Sequence, residues 1–266
     1  MKISIITICY NNEKDIRATI ESVVGQTYPE IEYIIKDGGS KDSTLAIAEE
    51  YQEKYGNVEG KFRGGFKVIS CKDKGIYDAL NQGLKEATGD VVGMIHAGDR
   101  LHNNQVIERI ARFYETHDVE MTYGNSVIVD GKGKVKRVNN SPEFSEGLML
   151  TGWMPSHQSV YLKREILERY GYYALDLGGP ADYDWCIRYF YKNASAIKIA
   201  HIDEYILRFT LGGTSSSNLI SKSKKRKDIY EECWQRNGYD VPKGIVWKKW
   251  LTKVKQYKDA WKYKEV

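Results

Sequence analysis

Four short β-branched runs alternate with helix-periodic stretches along the first half of this chain, and polar residues follow each run. Ile3 to Cys9 is nearly continuous in apolar character and reads as a strand covered on both faces, as in parallel sheets. Ile16, Ile20, Val23 and Val24 then recur at helical spacing, predicting a helix from Asn12 or Glu13 to about Gln26. The pattern repeats with strands at Ile31 to Lys36, Phe66 to Ser70 and Val91 to Ile95, and helices at Ser43 to Tyr55, Ile76 to Ala87 and Val106 to Thr116. Such an order predicts an α/β fold, a mainly parallel sheet flanked by helices. Ligands in such sheets sit at the carboxyl ends of the strands. Tyr10-Asn11, Asp37-Gly38, Asp73-Lys74 and Gly98-Asp99 fall there.

Beyond Met121 to Val129 the alternation weakens. Gly131-Lys132-Gly133 reads as a hairpin turn leading to Val135-Lys136. Short helices are expected at Lys163 to Tyr170 and Asp182 to Tyr191, and strands at Ile197 to His201 and Tyr205 to Thr210. From Lys243 on, Val246, Trp247, Trp250, Leu251, Val254, Tyr257 and Trp261 mark one helical face among lysines.

With 266 residues, 41% apolar and 29% charged, the chain can bury one large α/β core or two small ones and is not compositionally disordered. Cys9, Cys71, Cys186 and Cys233 form no CxxC pair, so neither a zinc site nor a disulfide framework is implied, and a cytoplasmic, reducing setting fits. The opening apolar run is too short for a signal segment, and no run is long enough to span a bilayer. The net charge of +4 is concentrated after Ser221. Trp and Lys together suit a helix lying on an anionic membrane, peripheral on its cytoplasmic face; packing on the body or on a second copy in a homodimer is the alternative. Lys222 to Lys227 is basic, but no nucleic-acid motif accompanies it, and no nucleic-acid partner is expected.

The polar strand ends carry an ordered set of motifs. Thr7-Ile8-Cys9-Tyr10-Asn11-Asn12-Glu13, Ser22-Val23-Val24-Gly25-Gln26-Thr27-Tyr28, Lys36-Asp37-Gly38-Gly39-Ser40, Asp73-Lys74-Gly75-Ile76-Tyr77-Asp78-Ala79-Leu80-Asn81 and His96-Ala97-Gly98-Asp99 together resemble family 2 inverting glycosyltransferases, in a subgroup with an Ala/Ser-Gly-Asp metal motif. The similarity covers roughly residues 1–215. It implies a GT-A (Rossmann-like) fold with a smaller acceptor-side β region and a helical C-terminal tail. Residues 1–215 would form the catalytic domain, with the nucleotide-sugar half to about 125 and the acceptor half from about 126. Residues 216–266 would be a basic, aromatic extension.

The resemblance implies a nucleotide-sugar donor, UDP-linked in many members, a glycan or lipid-linked glycan acceptor, and a divalent metal, Mn²⁺ or Mg²⁺. Donor contacts fall on Thr7, Tyr10, Asn11, Asp37, Gly38, Lys74, Asp78, Asn81, Ala97 and Gly98, and the metal on Asp99. Ala97 and Gly98 replace the second acidic residue that many members carry in the metal motif. Each position has a plainer reading: Asp37 in a turn, Asn11 as a cap, Asp78 and Asn81 on a solvated helix face, Asp99 capping a helix. Ala181-Asp182-Tyr183-Asp184-Trp185 resembles the catalytic-base region. Asp182 matches the base, with Asp184 as fallback, although either can simply cap the helix. In Trp153-Met154-Pro155-Ser156-His157-Gln158-Ser159, His157 can orient an acceptor or contact phosphate, and Trp153 is a sugar platform or a core aromatic. Gly212-Gly213-Thr214-Ser215 resembles a loop that closes over the donor. A GxGxxG dinucleotide motif is missing after the first strand, which argues against a dehydrogenase. The thinned metal motif and Ala181 leave open a member that binds without catalysing transfer.

Overall fold

A computed structural model describes residues 1–56, 61–212 and 226–263. In chain order the strands are β1 (Ile3–Cys9), β2 (Ile31–Asp37), β3 (Gly65–Ser70), β4 (Val91–Met94), β5 (Arg100–Leu101), β6 (Met121–Val129), β7 (Val135–Asn139), β8 (Val160–Lys163) and β9 (Ile199–Thr210). The α-helices are α1 (Ile16–Val24), α2 (Thr44–Tyr55), α3 (Ile76–Lys85), α4 (Val106–Thr116), α5 (Arg164–Tyr170), α6 (Ala181–Ile187), α7 (Arg226–Arg236) and α8 (Ile245–Ala260).

The strands form one sheet in the order β3-β2-β1-β4-β8-β6-β9-β5, with β7 added on β6. β3, β2, β1 and β4 are all parallel. The sheet becomes mixed at β8, which runs antiparallel to both β4 and β6, while β6 and β9 are parallel. Every residue of β1 and β2 is buried, including the polar Ser4, Thr7, Glu32, Lys36 and Asp37 among their β-branched residues. Alternation along the strands divides the core. Ile3, Ile5, Tyr33 and Ile35 pack with α1, α2 and α4, while Ile6, Ile8 and Ile34 pack with α3 and the aromatic layer of α6 around Trp185.

Local chemistry shifts three boundaries. The first helix starts at Ile16 because the Asn12 carbonyl accepts from both Asp15 N and Ile16 N, closing a turn before the helix proper. The expected helix from Asp182 to Tyr191 is α only to Ile187 and continues as a wider π turn over Arg188–Lys192. The two late strands are one, β9; register shifts opposite Asn125 absorb its polar Asp203-Glu204 step. The hairpin at 131–133 forms as the sequence predicts, with Gly133 N donating to Asp130 O. Gly213, Thr214 and Ser215 of the expected closing loop, and residues 222–225 of the basic cluster, lie outside the described residues.

The C-terminal helix docks by its polar side. Gln256 accepts from Arg137 and donates to Asn139, and Lys248 Nζ donates to Leu150 O. At Gly152, with φ +83°, a Cβ would lie 2.6 Å from Lys249 N, so only glycine lets the α8 backbone pass this close. The aromatic face expected to pack or meet a membrane points outward: Trp247 is 61% exposed, Trp250 51% and Trp261 92%.

Candidate active site

The carboxyl ends of β1, β2 and β3 make one polar corner. Asp37 is fully buried, and Gly39 N, Ser40 N, Ser40 Oγ and Ser70 Oγ all donate to its carboxylate. Burial alone would raise its pKa, but the hydrogen bonds from Ser40, Ser70 and Gly39 hold it below the ordinary value. Asp37 therefore shapes the loop, and the loop shapes the corner. Lys36, also buried, donates from Nζ to Asp37 O and Cys71 O at 2.6 Å and reaches Asp73 at 3.5 Å. A Cβ at Gly38 would lie 2.6 Å from Asp73 Oδ2 and 3.3 Å from Tyr10 Cδ2, so Gly38 brings these two side chains together. Tyr10 is 51% exposed there, a flat face suited to stacking. Lys74 is exposed beside it, and its N–H donates to Asp78 Oδ2, which also accepts from Gln82. Asp78 thus fastens the start of α3.

A second cluster lies past β4. Ala97 N donates to Ile8 O and Gly98 N to Thr19 Oγ1, tying the turn to β1 and α1. Asp99 is 5% exposed; its carboxylate accepts from Gln158 Nε2 at 2.7 Å and Thr210 N at 2.8 Å. Burial raises it to about 7, against the pull of those two donors. Gln158 also accepts from His96 N. The His96 and His157 rings meet at Nε2–Nε2 3.3 Å, and His157 Nδ1 pairs with the Tyr173 hydroxyl at 3.0 Å. Burial lowers the pKa of both histidines. His96 Nδ1 is buried with no hydrogen-bond partner. The 3₁₀ turn His157–Ser159 thus links Asp99 to the far side of the cleft.

Asp99 yields a pH prediction. Its carboxyl ionises near 3.8 in the unfolded chain and near 7 in the folded one. The folded protein therefore keeps a proton that the unfolded chain has lost, and this contribution to stability disappears as pH rises through about 7. Relative to Asp99→Asn, the wild type is expected to lose a few kcal/mol across that window. Urea unfolding at several pH values measures the difference, and parallel profiles for the two proteins would refute it. The amide would face Gln158 Nε2, which shifts the absolute stability of the variant but not the slope.

Asp182 sits half-buried in the first turn of α6 and is shared by two adjoining cavities of about 490 and 480 Å³. The first contains Tyr77, His96 and His157; the second contains Arg137, Asn139 and Trp153; Phe209, Lys249 and Lys253 line both. Such volumes fall in the range of about 300–1,000 Å³ typical of small-molecule sites. Lys249 enters from α8 and lies over the Tyr183 ring at 4.3 Å.

The fold gives several of the expected contact residues other partners. Thr7 is fully buried and pairs with the Tyr33 hydroxyl, because odd positions of β1 face α1 and α2. Asn11 takes a left-handed conformation and ties its loop to Ser40 and Lys41. Asn81 does not share a sugar-facing side with Asp78: its amide donates to Tyr173 O and accepts from Tyr173 N, consuming both ends. Asp184 is buried between Arg188 and Asn237 and cannot serve as a base in the cleft. Trp153 packs on Tyr123 and Phe190 as a core aromatic, with an edge reaching the second cavity. The sequence assigns no role to Lys36, Asp73, His96, Gln158 or Lys249. The first four stand inside the motifs at the strand ends and in the 153–159 segment; Lys249 carries no signal beyond a lysine in a basic helix.

A model of glycosyl transferase family 2 matches residues 4–173. The chain belongs to that family. A PGL/p-HBAD biosynthesis glycosyltransferase of Mycobacterium bovis is 26% identical over 220 residues, covering 82% of this chain and 80% of the relative. The solved TarS 1–349 chain of S. aureus, in complex with UDP, is similar at TM-score 0.63 and 22% identity, over 79% of this chain; the match spans 61% of that TarS chain. The same protein with UDP-GlcNAc gives TM-score 0.67 at 20% identity, over 98% of this chain and 79% of that one. A mannosyltransferase of Pyrobaculum calidifontis, in complex with GDP-Man and Mn²⁺, gives 0.58 at 13% identity, over 100% and 76%. These structures share the GT-A-like fold, and family 2 membership makes the chain a glycosyltransferase.

Proposed function

We propose that this family member is an inverting transferase that moves a sugar from a nucleoside-diphosphate sugar, UDP-linked by preference, to a hydroxyl of a glycan or lipid-linked glycan. The observation that carries the reading is Asp182, a carboxylate at the meeting point of two cavities, the first lined also by His96 just past the carboxyl end of β4. Fold neighbours solved in complex with UDP, UDP-GlcNAc and GDP-Man support a nucleotide donor.

In this reading Tyr10 stacks on the base, and the Gly38–Ser40 loop, its backbone N–H groups spent on Asp37 and Cys9, shapes the corner against which the nucleotide lies. A divalent cation suits Asp99: each carboxylate oxygen accepts one N–H and keeps a lone pair, and burial leaves the group without a positive neighbour. Among the described residues no cluster of three His, Cys, Asp or Glu side chains gathers, so water and phosphate oxygens would complete the shell. When bound, the cation supplies positive charge to the departing diphosphate. Asp182 accepts the proton of the acceptor hydroxyl as it attacks, on the face away from the leaving group. His157 and Tyr77 close the cavity around that hydroxyl.

Calorimetric titration with UDP, GDP and their sugar conjugates, with and without Mn²⁺, tests this. Metal-dependent binding of one nucleotide, lost in Asp99→Ala, is expected; folded protein that binds none refutes the reading.

No described helix is long and apolar enough to cross a membrane. We further place the outward face of α8, with Trp247 and Trp250 stacked at 4.7 Å among lysines, on an anionic membrane surface. Cosedimentation with phosphatidylglycerol vesicles, abolished by Trp247→Glu with Trp250→Glu, is the expected result. Binding that survives both changes would contradict it.

A further inference from the structure

Lys249 is a half-buried cation that lines both cavities. Its backbone abuts Gly152, its ammonium lies over the rings of Tyr183 and Tyr230 at 4.3 and 5.4 Å, and Met154 Sδ is 3.8 Å away. Among the described residues no carboxylate lies within salt-bridge distance of it. Burial brings the ammonium down to about 8, although the charge of Asp182 works the other way. An ammonium held over two rings in a cavity, with no described carboxylate in direct contact, offers a place for an anion. The surrounding charge agrees. The cavity of about 480 Å³ sets Arg137, Lys249, Lys253 and Lys255 against only Asp182 and Asp259. Asp99 lines neither cavity itself; Gln158, which donates to it, lines the first, whereas Arg137 and Lys255 line only the second.

We propose that this wall of α8 is an anion subsite of the acceptor: Lys249, with Lys253 one turn further on, binds a phosphate carried by the acceptor and so brings its hydroxyl to Asp182. The consequence for transfer rests on Asp182 acting as the base; the binding does not. Because the opposite face of α8 is aromatic and exposed, a lipid-borne phosphate reaches this groove from the surface on which the helix lies.

The test follows the Lys249 side chain by carbon NMR in lysine-labelled protein while inorganic phosphate is added, with Lys249→Gln assigning the signal. A saturable shift is expected, together with a rise of the ammonium pKa above about 8. Lys249→Gln is expected to weaken phosphate binding by about tenfold or more while keeping the fold, since the side chain is half-buried and lines open cavities. Lys253→Gln, at an exposed position, is the second variant and is likewise expected to weaken it. Hexyl phosphate distinguishes the source: tighter binding than inorganic phosphate assigns the site to a lipid-borne group, and equal binding to a phosphorylated glycan. A Lys249 signal that ignores both phosphates overturns the proposal. So does a response lost in Asp99→Ala, which would assign the phosphate to the donor. No donor is needed for this readout, so its failure leaves the transferase reading standing, and failure of nucleotide binding leaves this test intact.

Discussion

Asp182→Asn is expected to lower transfer by about 10²–10⁴-fold while leaving the fold and donor affinity unchanged. Asparagine keeps the size of the side chain, and the contact with Tyr183 N at the start of α6 survives through its amide oxygen. It cannot take a proton from an attacking hydroxyl. No neighbour can substitute: Asp184 is committed to Arg188 and Asn237, and His157 is bound to Tyr173 and His96. Initial rates with saturating donor, read beside nucleotide affinity for both proteins, measure the effect. A loss in affinity equal to the loss in rate would make Asp182 a binding residue instead.

Asp37→Ala is expected to remove about 3–5 kcal/mol of stability, because it strands buried donors that now share one carboxylate. Gly39 N, Ser40 N and Ser70 Oγ would lose their acceptor together, and the loop that juxtaposes Tyr10 and Asp73 would lose its shape. Nucleotide affinity therefore falls along with stability. Urea unfolding gives the first quantity and titration the second. A variant of wild-type stability that loses only nucleotide would show that Asp37 touches the ligand directly.

The parallel half of the sheet was legible because its central strands are covered on both faces, and two-sided burial writes itself as the β-branched, mainly apolar run of β1 and the Tyr33, Ile34 and Ile35 centre of β2. The polar ends of those strands pointed to the site for the same reason. Which polar residue faces outward was not legible. Thr7 differs from its cleft-side neighbours only by the parity of its position, and Asn81 is claimed by Tyr173, far along the chain. β9 read as two strands because Asp203 and Glu204 interrupt its pattern, whereas the register shifts let them swing out without breaking it. The apolar stripe of α8 was plain in the sequence, yet it does not pack. The Arg137, Gln256 and Asn139 contacts and the close pass at Gly152 dock the opposite face, and this brings Lys249 to Asp182. Pairings of that kind depend on tertiary geometry that no local pattern encodes.

Phosphorus NMR of the nucleotide sugar that binds, incubated with Mn²⁺ and either wild type or Asp182→Asn, asks whether the cleft performs the transfer. Wild type, supplied with membrane extract as a source of acceptor, should convert the sugar-nucleotide signal to free nucleoside diphosphate, and Asp182→Asn should hold the donor unconverted. Equal conversion by both proteins, or none by a wild type that binds the donor, would contradict the assignment of Asp182 and of this cleft.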